Sequence, residues 1–152
     1  MHAHFPLPEV TWEPTREFWA GAARGELLIT RCDACGRYVW YPQTPCRHCG
    51  ATRLAWTRVS GRGTLFSWSV LHHAWIPQFK AQLPFVSGLV ALQEDPGVRV
   101  VSYVVDCAPE TLRCDMPVTV VFRALRYPGV DGAVVAPLFR PAAPSPPGTG
   151  VR

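Results

Sequence analysis

Four of the six cysteines fall between residues 32 and 49, in "CDACGRYVWYPQTPCRHCG". Cys32, Cys35, Cys46 and Cys49 follow the pattern C-x-x-C, ten residues, C-x-x-C. Two intervening residues let both sulfurs of a pair face one ion at about 2.3 Å while the backbone curls beneath it. Gly36 and Gly50 follow the pairs directly. There the chain leaves a tight turn through a conformation that a Cβ would hinder. Four thiolates complete a tetrahedral shell and leave no position for water, which points to structural zinc and away from catalytic zinc. Two disulfides and a rubredoxin-like iron centre are the alternatives open to the same cysteines. His48, inside the second pair, is expected to face solvent.

A length of 152 residues leads us to expect one domain, or one domain with a small appendage. Hydrophobic residues make up 48% and charged residues only 17%, a balance that suggests apolar surface kept for a partner. The N-terminus, "MHAHFPLPEV", has no basic head and no apolar run of signal-peptide length, and no segment approaches membrane-spanning length. The expectation is a cytoplasmic protein without a membrane role, whose thiols stay reduced and favour metal over disulfides. Cys107 and Cys114 lie apart from the tetrad, and are expected to be reduced and structural.

Local patterns place the rest. Thr15 can cap a short helix starting near Arg16. Phe18 with Ala22 and Trp19 with Ala23 give it an apolar stripe, and Gly25 can end it. "ELLITR", "RYVWYP" and "LAWTRV" then enter, link and leave the two cysteine pairs. They make a zinc ribbon too small to hold together without metal. From Ser60 the texture changes to five β-rich runs at 64–71, 85–92, 98–105, 118–125 and 133–139. Asp95-Pro96-Gly97 turns between the second and third, and "YPGVDG" joins the last two. Gly61 and Gly63 allow a sharp bend before the first. Five short strands with an excursion between the third and fourth suit a partly open Greek-key barrel of the OB type, with a small sandwich as competitor. The expected organisation is mainly β. An N-terminal segment and helix (1–26) lead into a rubredoxin-like zinc ribbon (27–59), a five-stranded OB-fold barrel (60–141) and a disordered proline-rich tail (142–152).

Charge is uneven. Residues 16–62 carry eight arginines against Glu17, Glu26 and Asp33, and Lys80 is the only lysine. Guanidinium suits phosphate or carboxylate, but four thiolates around a dication offset part of this charge. Catalytic signatures are missing: no G-x-S-x-G elbow, no H-E-x-x-H and no phosphate-binding G-x-x-x-x-G-K occurs. His72 and His73, at the end of the first barrel strand, should point to opposite faces, one exposed and one packed. Neither has an adjacent Cys, Ser or Asp in sequence to make a catalytic pair. The residues describe a binding module.

Five stretches in order, "FWAGAARGELLITRCDACG", "YPQTPCRHCG", "WTRVSGRGTLFSWSVLHH", "MPVTVVF" and "PLFRP", resemble the zinc-ribbon/OB-fold family associated with acyl-CoA metabolism, formerly a domain of unknown function. The resemblance covers roughly residues 15 to 141. It implies a small accessory subunit that binds a thiolase-superfamily enzyme, such as a thiolase, a steroid side-chain aldolase or an acyltransferase. Acyl-CoA would then lie at or near the interface. Cys32, Cys35, Cys46 and Cys49 match the family's metal positions, and the intact set supports bound zinc. In some relatives the domain is fused to a hydratase-like domain, which is not expected within these 152 residues.

Two apolar segments suit such a role. "HHAWIPQFKAQLPF" (72–85) sets Trp75, Ile76, Phe79 and Phe85 around Lys80 and is too apolar for a solvent loop. It can dock a partner, wall an acyl or pantetheine channel, or fold back as a lid on the barrel. Trp40 and Tyr41, between the cysteine pairs, are further aromatic anchors. Single-stranded nucleic acid is the rival ligand for an OB barrel. It is disfavoured by the modest net charge of +4 and the near-absence of lysine. An iron-loaded ribbon acting as an electron carrier is a third option, which a red colour would reveal.

Overall fold

A computed structural model describes residues 5–143. The tail expected to be disordered lies, from residue 144, outside the described residues. A short 3-10 turn at Glu13–Thr15 leads into helix α1, Arg16–Ala23. Thr15 does not cap the helix with its side chain as expected, and it is buried. The apolar stripe is Phe18, Gly21 and Ala22, whereas Ala23 is exposed, because a helix of this length presents only one narrow face to the core. Gly25 ends it in the left-handed region, its N–H donating to the Ala22 carbonyl at 3.0 Å.

Strands β1 (Leu27–Cys32), β2 (Tyr38–Val39) and β3 (Leu54–Val59) form an antiparallel sheet in the order β2-β1-β3. As the central strand, β1 is buried continuously from Leu27 to Thr30. Thr30 meets its polar requirement by donating its hydroxyl to the Val39 carbonyl of β2.

The five β-rich runs become β4 (Arg62–Leu71), β5 (Phe85–Leu92), β6 (Arg99–Val104), β7 (Pro117–Leu125) and β8 (Val134–Pro141). They form one closed barrel in the order β4-β5-β6-β8-β7, which removes the sandwich alternative and corrects the expectation of a partly open barrel. Two short seams close it. β4 meets β7 from Arg62↔Thr119 to Thr64↔Pro117, and β6 meets β8 in parallel at Val104↔Phe139, where the Val105 N–H donates to the Phe139 carbonyl at 2.8 Å.

Gly61 explains how the ribbon enters the barrel. Its φ is +75°, and a Cβ there would lie 2.1 Å from Val120 Cγ1, so the bend needs glycine for both conformation and space. Gly63 sits inside β4, where a Cβ would come within 2.3 Å of the Ala91 carbonyl oxygen. Its role is close strand approach and not the expected bend.

Leu65, Val90, Val100, Val118 and Phe139 fill the barrel. They belong to one contiguous apolar cluster with Phe18 of α1 and Leu27, Ile29 and Val59 of the ribbon. The base of the ribbon therefore shares the barrel's core. Only the tip has a small cluster of its own, Cys32, Val39 and Cys46.

Candidate metal centre and aromatic cleft

The two C-x-x-C segments fold as matching knuckles. In the first, the Gly36 N–H donates to the Cys32 carbonyl at 2.9 Å, and in the second the Gly50 N–H donates to the Cys46 carbonyl at 2.8 Å. Both glycines are left-handed, φ +71° and +78°, as their spacing requires. The turns bring the four sulfurs within 4.8 Å of one another. Cys32 Sγ lies 3.6 Å from Cys49 Sγ, and Cys35 Sγ lies 3.9 Å from Cys46 Sγ. A tetrahedron with metal–sulfur bonds of about 2.3 Å has edges of about 3.8 Å, so the donor set fits one zinc ion. All six cysteines are free thiols, which removes the disulfide alternative.

The knuckle backbone also favours thiolate. The Cys35 amide, with help from the Ala34 amide, holds the Cys32 thiol down at about 7 against the cost of burial. At Cys49 the Ala51 amide pulls the same way. Proton sharing with Cys35, burial, and the Cys32 and Cys46 sulfurs together win, and push it up to about 11. Four sulfurs this close cannot all carry negative charge unless a cation sits among them. His48 is exposed, as expected.

Beside the ribbon lies a cleft of about 750 Å³. Phe18 and Trp19 of α1 and Trp40 and Tyr41 of the inter-knuckle link form one side, and the 71–79 segment forms another. The outer face of the barrel provides the third. Phe85 and Ser87 of β5, Arg99 to Tyr103 of β6 and Ala136 to Leu138 of β8 line the cleft, the buried Val100 among them, while Val86 and Val104 are buried in the core. The 72–85 loop contains a short helix, α2 (Pro77–Lys80), that its sequence did not suggest. Phe79 anchors the loop edge-on against Tyr127, with ring centres 5.2 Å apart, and lies 6.1 Å from Phe85. Trp75 is left 98% exposed on the rim, and Tyr41, stacked on Trp40 at 4.7 Å, is 58% exposed.

Six residues singled out from the sequence, Trp40, Tyr41, Trp75, Ile76, Phe79 and Phe85, all line this one cleft although they come from two separate segments. Lys80 is exposed on the last turn of α2 and does not line it. His73 lines the cleft and His72 does not; both are exposed, because β4 ends at Leu71 and no longer dictates alternate faces. Cys107 is half-buried, but Cys114 is exposed and so is not the packed structural residue expected. The sequence did not mark Phe18 and Trp19 as cleft residues, only as the apolar stripe of a helix, nor Arg99 and Tyr103, whose outward positions follow from the two-residue alternation of β6. Arg99 is held over the Phe66 ring at 3.7 Å.

A closed four-cysteine ribbon joined to a five-stranded barrel, with a helix over the junction, defines a zinc-ribbon/OB-fold protein. The rubredoxin-like zinc ribbon domain of ChsH2 matches residues 19–55, and the C-terminal OB-fold domain of ChsH2 matches residues 56–123. A DUF35 domain-containing scaffold protein of Methanocaldococcus jannaschii is 33% identical over 109 residues, 71% of this chain and 75% of that protein. One of the same description from Methanothermobacter thermautotrophicus is 33% identical over 112 residues, 73% and 82% of the two chains. The chain belongs to the DUF35 family, and its cofactor is a structural zinc ion.

A probable enoyl-CoA hydratase alpha subunit of Thermomonospora curvata is 36% identical over 128 residues, and the match spans 84% of this chain but only 37% of that protein. Among solved structures, a chain of the Ltp2-ChsH2(DUF35) aldolase superposes with a TM-score of 0.75 at 29% identity, covering 90% of this chain and all of that one. A DUF35 protein of Sulfolobus solfataricus, at 13% identity and TM-score 0.54, shares the fold. No helix among the described residues is long and apolar enough to cross a membrane.

Proposed function

We propose that this chain is a non-catalytic accessory subunit that docks on a thiolase-superfamily enzyme and supplies one wall of its acyl-CoA site. The observation that carries this is the apolar cleft of about 750 Å³, rimmed by Trp75 and Tyr41 and built jointly by helix, ribbon and barrel. A pocket of this size and lining suits an aliphatic or pantetheine chain. An almost fully exposed tryptophan suits burial by a second protein. The relatives described as scaffold proteins and the likeness to a chain of an aldolase support the same role. So does the name of the larger relative, an enoyl-CoA hydratase subunit.

The zinc centre lies outside the cleft lining and has no place for substrate, so its contribution is to hold the ribbon, and with it Trp40 and Tyr41, in position. His73 faces the cleft, but no thiol, hydroxyl or carboxylate is hydrogen-bonded to its side chain among the described residues, which leaves it without a catalytic partner. Nucleic acid fits poorly. Among the described residues Arg99 is the one arginine in the lining, too few to track a phosphate backbone.

The test is association of the zinc-loaded chain with a thiolase-superfamily partner, measured by calorimetry at low and moderate salt. Trp75→Ala should weaken binding about tenfold or more, because truncating a buried interfacial aromatic commonly costs about 2 kcal/mol. An apolar interface should persist at moderate ionic strength. Binding that collapses there, together with tight single-strand DNA binding at low salt, would favour the nucleic-acid reading instead.

A further inference from the structure

Most of the cleft lining is apolar, yet one hydroxyl pair sits at its wall. Tyr103 lines the cleft; Tyr127 does not, and is only 6% exposed. Their phenolic oxygens are 3.3 Å apart. Neither hydroxyl has another hydrogen-bond partner among the described residues. Each phenol carries one proton and can also accept. If Tyr103 donated, the buried proton of Tyr127 would be left facing apolar surroundings, the costlier arrangement. Tyr127 therefore donates, Tyr103 accepts, and the Tyr103 proton is turned outward. Burial, together with the neighbouring Tyr103 hydroxyl, pushes the Tyr127 pKa well up, so it remains a neutral donor. Packing fixes both rings. Phe85 meets Tyr103 edge-on at 5.1 Å, and Phe79 meets Tyr127 edge-on at 5.2 Å.

We propose that the Tyr103 hydroxyl, oriented by Tyr127, is a fixed hydrogen-bond donor in the cleft wall, and that the group it takes is the carbonyl of an acyl thioester. This rests on the acyl-CoA reading above and deepens it. A hydroxyl that already accepts one bond and turns its proton into the cleft favours a group that accepts and does not donate, and a thioester carbonyl is such a group. Accepting the Tyr127 bond also strengthens the donation by Tyr103. Ile76 and Val101, apolar residues of the same lining, are suited to the alkyl chain. Tyr103 is the binding residue and Tyr127 a positioning residue.

The experiment compares octanoyl-CoA with its thioether analogue S-octyl-CoA, which has the same chain and no thioester carbonyl. Binding to the zinc-loaded full chain is followed by fluorescence of Trp40 and Trp75 and by calorimetry. The native chain should prefer the thioester about three- to tenfold, the range of one net hydrogen bond. Tyr103→Phe should abolish that preference, bringing the two affinities to a ratio of about one, a ratio that a purely structural role would not move. Tyr127→Phe should shrink the preference without removing it. Equal affinity of the native chain for both ligands, a comparison that needs no variant, or a preference retained in Tyr103→Phe, would overturn the hydroxyl assignment while leaving the acyl-CoA reading intact. Failure of the folded native chain to bind either ligand would overturn both.

Discussion

At the scale of single residues, the metal centre is the part of the molecule most fully legible in the sequence. C-x-x-C spacing is a local property, and so is the need for glycine after each pair. The structure places Cys32, Cys35, Cys46 and Cys49 together and gives both glycines positive φ. Cys35→Ser should abolish stoichiometric zinc by elemental analysis, whereas Cys107→Ser should retain it, since Cys107 lies outside the cluster. Iron in place of zinc would contradict the assignment. A second residue-scale prediction concerns acid. Arg123 forks onto Asp106, with Nη1–Oδ1 at 3.0 Å and Nη2–Oδ2 at 2.5 Å, and Arg140 lies 4.0 Å away. The Arg123 hydrogen bonds, with the charges of Arg123 and Arg140, hold the Asp106 carboxyl below its ordinary range, outweighing the effect of burial. Its folded pKa thus lies below the unfolded value of about 3.9. The stabilisation is fully present above that value and is lost as pH falls through the lowered folded pKa. Asn tolerates the left-handed φ of 58° at this position, so Asp106→Asn should remove that share of the acid dependence without distorting the backbone. Urea midpoints of the two proteins should converge as pH is lowered from 6 towards 2. Midpoints that differ equally across the range would refute the assignment.

At the scale of elements, all eight strands fall where apolar runs and turn residues put them, because alternation and Asp-Pro-Gly or glycine punctuation act locally. What stayed hidden depends on distant partners. Closure of the barrel rests on the β4–β7 seam and on the Val104↔Phe139 bridge between β6 and β8, pairings that no single strand's sequence specifies. Phe18 and Trp19 read as an apolar stripe from the helix period alone, yet both also line the cleft, since only the packed arrangement shows where α1 ends its contact with the barrel. Gly61→Ala should destabilise the chain by about 1–3 kcal/mol in urea titration, because its Cβ would collide with Val120 in a left-handed turn. An unchanged midpoint would mean that the β3–β4 entry is looser than described. Chelation tests the shared core. Stripping zinc should raise amide exchange at Gly36, Cys46 and Gly50, where the tip has only three buried residues of its own. Amides of β1 and β3 next to Ile29 and Val59 should keep most of their protection, since these residues belong to the barrel cluster. Collapse of exchange protection across the barrel would contradict that division.

At the scale of the whole molecule, helix, ribbon and barrel are joined around one aromatic cleft, the face proposed to meet an enzyme partner. The sequence showed the aromatic pieces, Trp40 and Tyr41 in one segment and Trp75 to Phe85 in another, but not that they meet. Their convergence depends on the ribbon base sharing the barrel's core, which fixes the inter-knuckle link beside the outer face of β5 and β6. Zinc, core and cleft thus form one dependence, from metal to ribbon tip to the positions of Trp40 and Tyr41. The most direct measurement is hydrogen–deuterium exchange of the zinc-loaded chain, with and without a thiolase-superfamily partner, at moderate salt. New protection should be concentrated in residues 40–41 and 72–85, with little change on the knuckle tips around His48. Protection absent from both segments, or confined to the knuckles, would contradict it.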